Sequence, residues 1–213
     1  MRAQGIAPVL QAVSLAAVRG DRQLFSALDF SLEAGDLLYV SGPNGSGKTT
    51  LLRMLCGLVV PAAGEVRWNG EAIRELGEDF RRELVYLGHA SGIKDDLSAL
   101  ENLATAVRLS GRETTQEEVR AALARLGLTA CEDLPVRVLS QGQRRRVALA
   151  RLLLMRAALW ILDEPFTALD TTAVEVIRTL INEQLQRRGV VVLTTHQPVG
   201  FDTASVKQIR MGR

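Results

Sequence analysis

Eight residues constrain this chain more than any others: "GPNGSGKT", residues 42 to 49, which fits the pattern G-x-x-x-x-G-K-[ST]. An apolar run, "DLLYVSG", leads into it, and after Lys48 the apolar positions Leu51, Met54, Leu55 and Leu58 recur at helical spacing, with Gly57 near the end. Strand, glycine loop and helix in that order predict a phosphate cradle. Gly42, Gly45 and Gly47 let backbone N–H groups crowd phosphate oxygens with no Cβ in the way, and Pro43, Asn44 and Ser46 complete the loop. The helix N-terminus adds partial positive charge. Lys48 is placed for the β and γ phosphates, Thr49 for Mg²⁺, and Thr50 follows at the loop's end.

Such a loop needs a sheet behind it. Short apolar runs, "DLLYVSG" and "GVVVLTT", alternate with helix-period stretches, which predicts an α/β fold with a mainly parallel buried sheet. With 47% apolar residues in 213, the chain supplies a full core without disulfides. Cys56 and Cys131 lack the spacing of a zinc site or a disulfide scaffold and read as two thiols in a reducing compartment. A net charge of +2, from 26 basic and 24 acidic residues, gives no nucleic-acid tail and no polybasic membrane anchor and is otherwise silent about partners; no nucleic-acid partner is expected. The longest apolar candidate for a membrane span, "LLLMRAALWIL", is broken by Arg156. Arg2 followed by "IAPVLQAVSLAAV" imitates a signal peptide, but Pro8, Gln11 and Ser14 interrupt it and an edge strand accounts for it.

"GEVRWNG", 64 to 70, predicts a short strand closed by an Asn-Gly turn. From about residue 95 to 138 the strand signal disappears. Leu100, Leu103, Ala104 and Val107 suit one helix, and Val119, Ala122, Leu123 and Leu126 a second, so a helical insert interrupts the sheet. Thr172 and Glu175 have capping-box spacing before a further helix. "LWILDE", 159 to 164, is an apolar strand that delivers two carboxylates to the sheet edge where the phosphates lie: Asp163 as the Mg²⁺ partner, Glu164 one residue on to orient or deprotonate the attacking water. In "LSQGQRRRVALARLLL", Ser140, Gly142 and a helix N-terminus make a second anion-reading turn. Two such turns serve one triphosphate only if the second comes from another molecule. Arg144, Arg145 and Arg146 read as the solvated or subunit-facing side of that helix.

In this order "GPNGSGKTT", "YLGHASGIKDDLSALENL", "LSQGQ", "LWILDEP", "TALD" and "TTH" resemble the motifs of the ABC ATPases across nearly the whole chain. The resemblance implies a P-loop NTPase fold: one ATP-binding domain over 1–213, with a parallel core sheet, an antiparallel β subdomain and an inserted helical subdomain over about 95–158. It implies ATP and Mg²⁺ bound between two copies. Ser140, Gly142 and Gln143 clasp the nucleotide of the opposing copy, Asp170 communicates across the dimer, and His196 touches the γ phosphate. Three positions depart from the pattern. His89 stands for the usual Gln that contacts Mg²⁺ or the attacking water; an imidazole there is expected to retain ATPase activity with altered pH dependence or coupling. Gln141 replaces the first signature glycine. Arg19 stands where an aromatic commonly stacks on adenine, and a guanidinium plane can stack on a base.

Several stretches, "LFSALDFSLEAGD", "ALWILDEPFTALD" and "TTHQP" among them, are similar to the ATP-binding subunits of bacterial cytochrome c maturation systems, a haem-exporter group. That resemblance implies a peripheral subunit on the cytoplasmic face of the inner membrane, docked on an integral membrane permease and powering a haem-handling step. The segment from His89 to Leu103, with Lys94, Asp95 and Asp96, is then the coupling surface. A subunit of a different ABC exporter or importer remains open, as does a soluble P-loop kinase, which leaves the signature turn and "TALD" unexplained.

Overall fold

The computed structural model describes residues 9–196, 199–201 and 205–212. Two sheets form the frame. β1 (Leu10–Arg19), β2 (Arg22–Leu32), β4 (Ala63–Trp68) and β5 (Glu71–Ala72) make an antiparallel sheet in the order β2-β1-β4-β5. β3 (Leu37–Ser41), β6 (Leu84–Leu87), β7 (Leu159–Asp163), β8 (Val190–Thr194) and β9 (Val206–Arg210) make a parallel sheet in the order β6-β7-β8-β3-β9. The start of the signal-like stretch, Arg2 to Pro8, and Gln197 and Pro198 of "TTHQP" lie outside the described residues. The edge strand expected at the N-terminus is an interior one: β1 pairs with β2 on one side and β4 on the other, which lets Leu10, Ala12, Leu15 and Ala17 all be buried.

The parallel sheet is covered on both faces, as its unbroken apolar strands require. Successive side chains point to opposite faces, and the two cores divide accordingly. Leu159 and Ile161 of β7 and Val190 and Val192 of β8 pack toward the antiparallel sheet. Trp160, Leu162, Val191 and Leu193 pack toward the helices. Each fully buried Leu or Ile contributes about 1.5–3 kcal/mol.

Helix α1 (Lys48–Leu55) starts at Gly47 and buries Leu51, Leu52, Met54 and Leu55 between the sheets. It is shorter than its apolar spacing predicts. Gly57 adopts φ 70°, a left-handed geometry that ends helices, and Leu58 beyond it is 63% exposed. After the short helices α2 (Ile73–Leu76) and α3 (Glu78–Arg82), the insert contains α4 (Ala99–Leu109), α5 (Gln116–Arg125) and α6 (Gln141–Leu154). Capping boxes, Ser98 with Glu101 and Thr115 with Glu118, fix the starts of α4 and α5. Buried residues of all three helices share one continuous core with the parallel sheet. α7 (Thr171–Gln186) begins earlier than expected: Asp170 is the N-cap, accepting a 2.7 Å hydrogen bond from the Ala173 N–H, while Thr172 lies inside the helix and Glu175 pairs with Arg178. A carboxylate at that end also complements the helix dipole.

Asp36 ties the start of β3 to β9. Its Oδ2 accepts from the Glu33 N–H at 2.8 Å and lies 2.7 Å from Lys207 Nζ, and its Oδ1 accepts from the Ser205 hydroxyl. Burial pushes the carboxyl pKa up, but the Glu33 N–H, Lys207 and Ser205 outweigh it and hold the group below the ordinary carboxylate range. A depressed folded pKa gives stability that is complete above the unfolded value of about 3.9 and is lost as pH falls through the folded one. Asp36→Ala, leaving a buried donor unmet at about 1–3 kcal/mol, should lower the melting temperature at pH 7 by about 2–10 °C. The gap to wild type should narrow as pH drops below about 4; an equal gap at pH 3 and pH 7 would contradict it.

Candidate active site

All five parallel strands run the same way, so β3, β7 and β8 end on one edge. The loop after β3 is built around Gly42, at φ 143°, where a Cβ would lie 2.4 Å from the Met211 carbonyl oxygen. No side chain fits there. Gly47, at φ 100°, packs over Leu24 and Phe25 and caps α1. Lys48 folds across the loop, its Nζ donating to the carbonyls of Gly42 at 2.7 Å and Pro43 at 3.2 Å. The Ser46 hydroxyl is buried in the same loop without a hydrogen-bond partner.

β7 carries Asp163 into this site, fully buried yet fully satisfied. Thr49 Oγ1 donates to its Oδ2 at 2.8 Å, and Thr194 Oγ1, at the end of β8, donates to its Oδ1 at 2.7 Å. The Glu164 N–H donates to the same Thr194 hydroxyl at 2.9 Å. Thr194 was not foreseen from sequence; its register opposite Asp163 in the sheet is what brings it there. Glu164 itself adopts φ 50°, a strained conformation for a residue with a side chain. Its Oε1 is buried without a hydrogen bond, and His196 Nε2 stands 3.4 Å away outside hydrogen-bonding geometry.

A cleft of about 450 Å³ gathers Arg19, Asn44, Gly45, Gly47, Lys48, Thr49 and Thr50 with His89, Asp163, Glu164 and His196. Residues from five separate stretches of sequence thus converge. Thr49 and Asp163 present hard oxygen donors side by side, a set suited to Mg²⁺. Among the described residues no group of three or more His, Cys, Asp or Glu side chains could enclose a metal alone.

The signature residues are not part of this cleft. Ser140 caps α6: its hydroxyl accepts from the Gln143 N–H at 3.2 Å, and Gln143 Oε1 accepts from the Ser140 N–H at 2.9 Å. Gly142 packs so closely on residue 168 that a Cβ would stand 2.9 Å from the Ala168 carbonyl oxygen. Asp170 caps α7. The segment after His89 is stapled by Asn102, which accepts from the Lys94 N–H at 2.7 Å and donates to the carbonyls of Lys94, Leu97 and Ser98. Ion pairs join the same segment to the first turn of α6, Asp95 to Arg144 at 3.3 Å, and to the approach to it, Asp96 to Arg137 at 2.7 Å.

The three arginines of α6 are not a solvated face. Arg144 donates to the carbonyls of Leu139 and Arg137, Arg146 to that of Leu126, and Arg145 is 91% buried, its exposure being 9%. Arg145 Nη1 donates to Gly88 O at 3.1 Å, and Nη2 to Asp163 O at 3.0 Å and Glu164 O at 2.8 Å. Burial pushes its pKa down while the Asp163 and Glu164 carboxylates push it back up. One guanidinium therefore holds the residue before His89 and the backbone of both acids. The sequence carried a signal: Ala148, Leu149 and Leu152 follow Arg145 at i+3, i+4 and i+7, which places it on the buried face. Arg145→Met should leave nucleotide affinity within about twofold while lowering the hydrolysis rate tenfold or more, because a misplacement of about 1 Å can cost as much as a hundredfold. Parallel binding and turnover measurements check this, and an unchanged rate would remove Arg145 from the site.

The sequence profile of the family described as "ABC transporter" matches residues 25–167. A cytochrome c biogenesis ATP-binding export protein, CcmA, of Nitrosospira multiformis is 52% identical over 204 residues, covering 96% of this chain and 99% of that one. The protein of the same description from Nitrosomonas europaea is 53% identical over 201 residues, 94% of each chain. Among solved structures, a putative ABC transporter ATP-binding protein from Pyrococcus furiosus superposes with a TM-score of 0.81 at 26% identity, covering 93% of this chain and 96% of that one. With a family profile across its nucleotide cradle and both acids, and relatives about half identical over nearly its entire length, the chain belongs to the ABC transporter family, in the branch of the cytochrome c biogenesis ATP-binding export proteins.

Proposed function

We propose that this chain is the ATP-hydrolysing subunit of an ABC transporter that energises a haem-handling step in c-type cytochrome biogenesis. The cleft carries the reading: a phosphate loop, a paired hydroxyl and carboxylate, and the Glu164 carboxyl, whose Oε1 has no hydrogen bond, converge in it, while the signature turn stays outside. A turn that the chain's own cleft does not use is available to a second copy.

ATP enters with its phosphates in the loop and its base toward Arg19. Lys48 exchanges its hold on the Gly42 and Pro43 carbonyls for the β and γ phosphate oxygens. Thr49 and, through water, Asp163 would hold Mg²⁺, which would supply positive charge against the phosphates. Glu164 accepts the proton of the attacking water as its oxygen bonds to the γ phosphorus, and the bond to the bridging oxygen breaks to leave ADP. His196, beside Glu164, keeps the water and the γ phosphate in line. Ser140, Gly142 and Gln143 of the second copy, with their helix dipole, stabilise the charge from the opposite side.

No helix among the described residues is long and apolar enough to cross a membrane. The membrane step therefore falls to an integral permease, with this chain docked on it at the cytoplasmic face of the inner membrane through the segment from His89 to Leu103. The helical subdomain, about 95–158, relays nucleotide state to that surface through the pairs of Asp95 and Asp96 with Arg144 and Arg137.

With ATP and Mg²⁺, Glu164→Gln should hydrolyse at least a hundredfold more slowly, on the scale of losing a general base, and should accumulate a nucleotide-bound dimer. Lys48→Ala should bind ATP poorly and stay apart. Size-exclusion chromatography with light scattering reads both; full turnover by a strictly monomeric Glu164→Gln protein would end the proposal.

A further inference from the structure

β8 ends on a hydroxyl at a place where its own pattern runs in valine. Val190 and Val192 face the antiparallel sheet, as Leu159 and Ile161 of the neighbouring β7 do, and by the alternation of a strand Thr194 and Asp163 come next on that face. Thr194 is 0% exposed, so a valine of the same shape would fill its place with no polar atom to bury. A buried hydroxyl is unfavourable unless its bonds are made. Here both are made, and both go to the two acids of the cleft. An amide N–H can only donate, so the Thr194 oxygen accepts from the Glu164 N–H at 2.9 Å, and its one proton is left for Asp163 Oδ1 at 2.7 Å. The result is a chain of fixed direction, from the Glu164 backbone through the hydroxyl to the Asp163 carboxylate.

We propose that Thr194 is a positioning residue of the hydrolytic site, fixing through one hydroxyl both the oxygen that Asp163 presents to Mg²⁺ and the aim of Glu164; this rests on the ATPase reading for the roles of the two acids. With Oδ1 held by Thr194, the Asp163 carboxylate is kept from rotating, and Oδ2 stays on the side of Thr49. Glu164 follows at once and turns through φ 50°, a conformation that persists only where the surroundings hold it. The bond from its N–H to Thr194 is such a hold. β8 also leads into His196, two residues beyond Thr194, whose Nε2 lies 3.4 Å from Glu164 Oε1. Having no exposed surface, Thr194 acts on the reaction only through these neighbours.

The test compares Thr194→Val, which keeps the shape and removes the hydroxyl, with Thr194→Ser, which keeps the hydroxyl and removes the methyl. Thr194→Ala also lacks the hydroxyl and replaces the valine variant should that one fail to fold. Two measurements are made on the full chain: Mn²⁺ affinity of its complex with a non-hydrolysable ATP analogue, by electron paramagnetic resonance, and kcat and KM for ATP at saturating Mg²⁺. Loss of the hydroxyl should weaken Mn²⁺ binding by about tenfold or more, the scale on which hydrogen-bonded supports of metal-holding groups act. It should lower kcat by about tenfold or more while KM stays within about twofold, a split that a general loss of packing would not produce. Thr194→Ser should return both quantities to within about threefold of wild type. Wild-type Mn²⁺ affinity or wild-type kcat in the valine variant, or a serine variant no better than valine, overturns the proposal. A wild-type chain that binds the analogue and Mn²⁺ without hydrolysing ATP would count against the ATPase reading instead, and the metal affinities would still decide the role of Thr194.

Discussion

Asp163 is a buried carboxylate whose burial is tolerable only because two hydroxyls, from Thr49 and Thr194, reach it from different elements. Those two bonds lock the first turn of α1 and the end of β8 to the end of β7. The position of Glu164 follows, since its N–H shares the Thr194 hydroxyl and its backbone turns through a positive φ at that point. Removing either hydroxyl would loosen the cradle and the proposed base together.

The rest of the architecture keeps that junction rigid. β7 and β8 are buried along their whole lengths and are flanked on both sides in the sheet, so their ends are fixed by two cores at once. The antiparallel sheet closes one face and contributes Arg19 to the rim of the cleft. The helices close the other face without a core of their own, because Leu103, Val119, Leu123 and Leu149 belong to the same cluster as Trp160 and Leu193.

Much of this was legible in the sequence because the signals were local. The cradle, the apolar runs of β3, β7 and β8, and the periodic faces of α4 and α5 each lie within a short window. What escaped depends on distant partners. β1 is interior only because β4 returns to it, and no feature of "LQAVSLAAVR" announces that return. The capping-box spacing of Thr172 and Glu175 put the start of α7 too late, and the Asp170 carboxylate two residues earlier is the cap. Thr194 looked like the end of an apolar run, and its bond to Asp163 needed the sheet register to become visible. Arg145 sat in a row of three identical residues; three carbonyls supplied by remote loops make its burial affordable.

Arg145 also lies one turn into the helix whose first residues are proposed to face the other copy's nucleotide. Because its guanidinium grips the backbone of Asp163, Glu164 and Gly88, α6 cannot tilt as a free rod: any swing of its N-terminus pulls on the strand end that carries the acids. A mechanical link thus runs from the proposed dimer face to the proposed hydrolytic centre within a single chain. Its fulcrum is one planar side chain, so in the proposed dimer a shift of α6 against its neighbour would also move the backbone that aims Glu164.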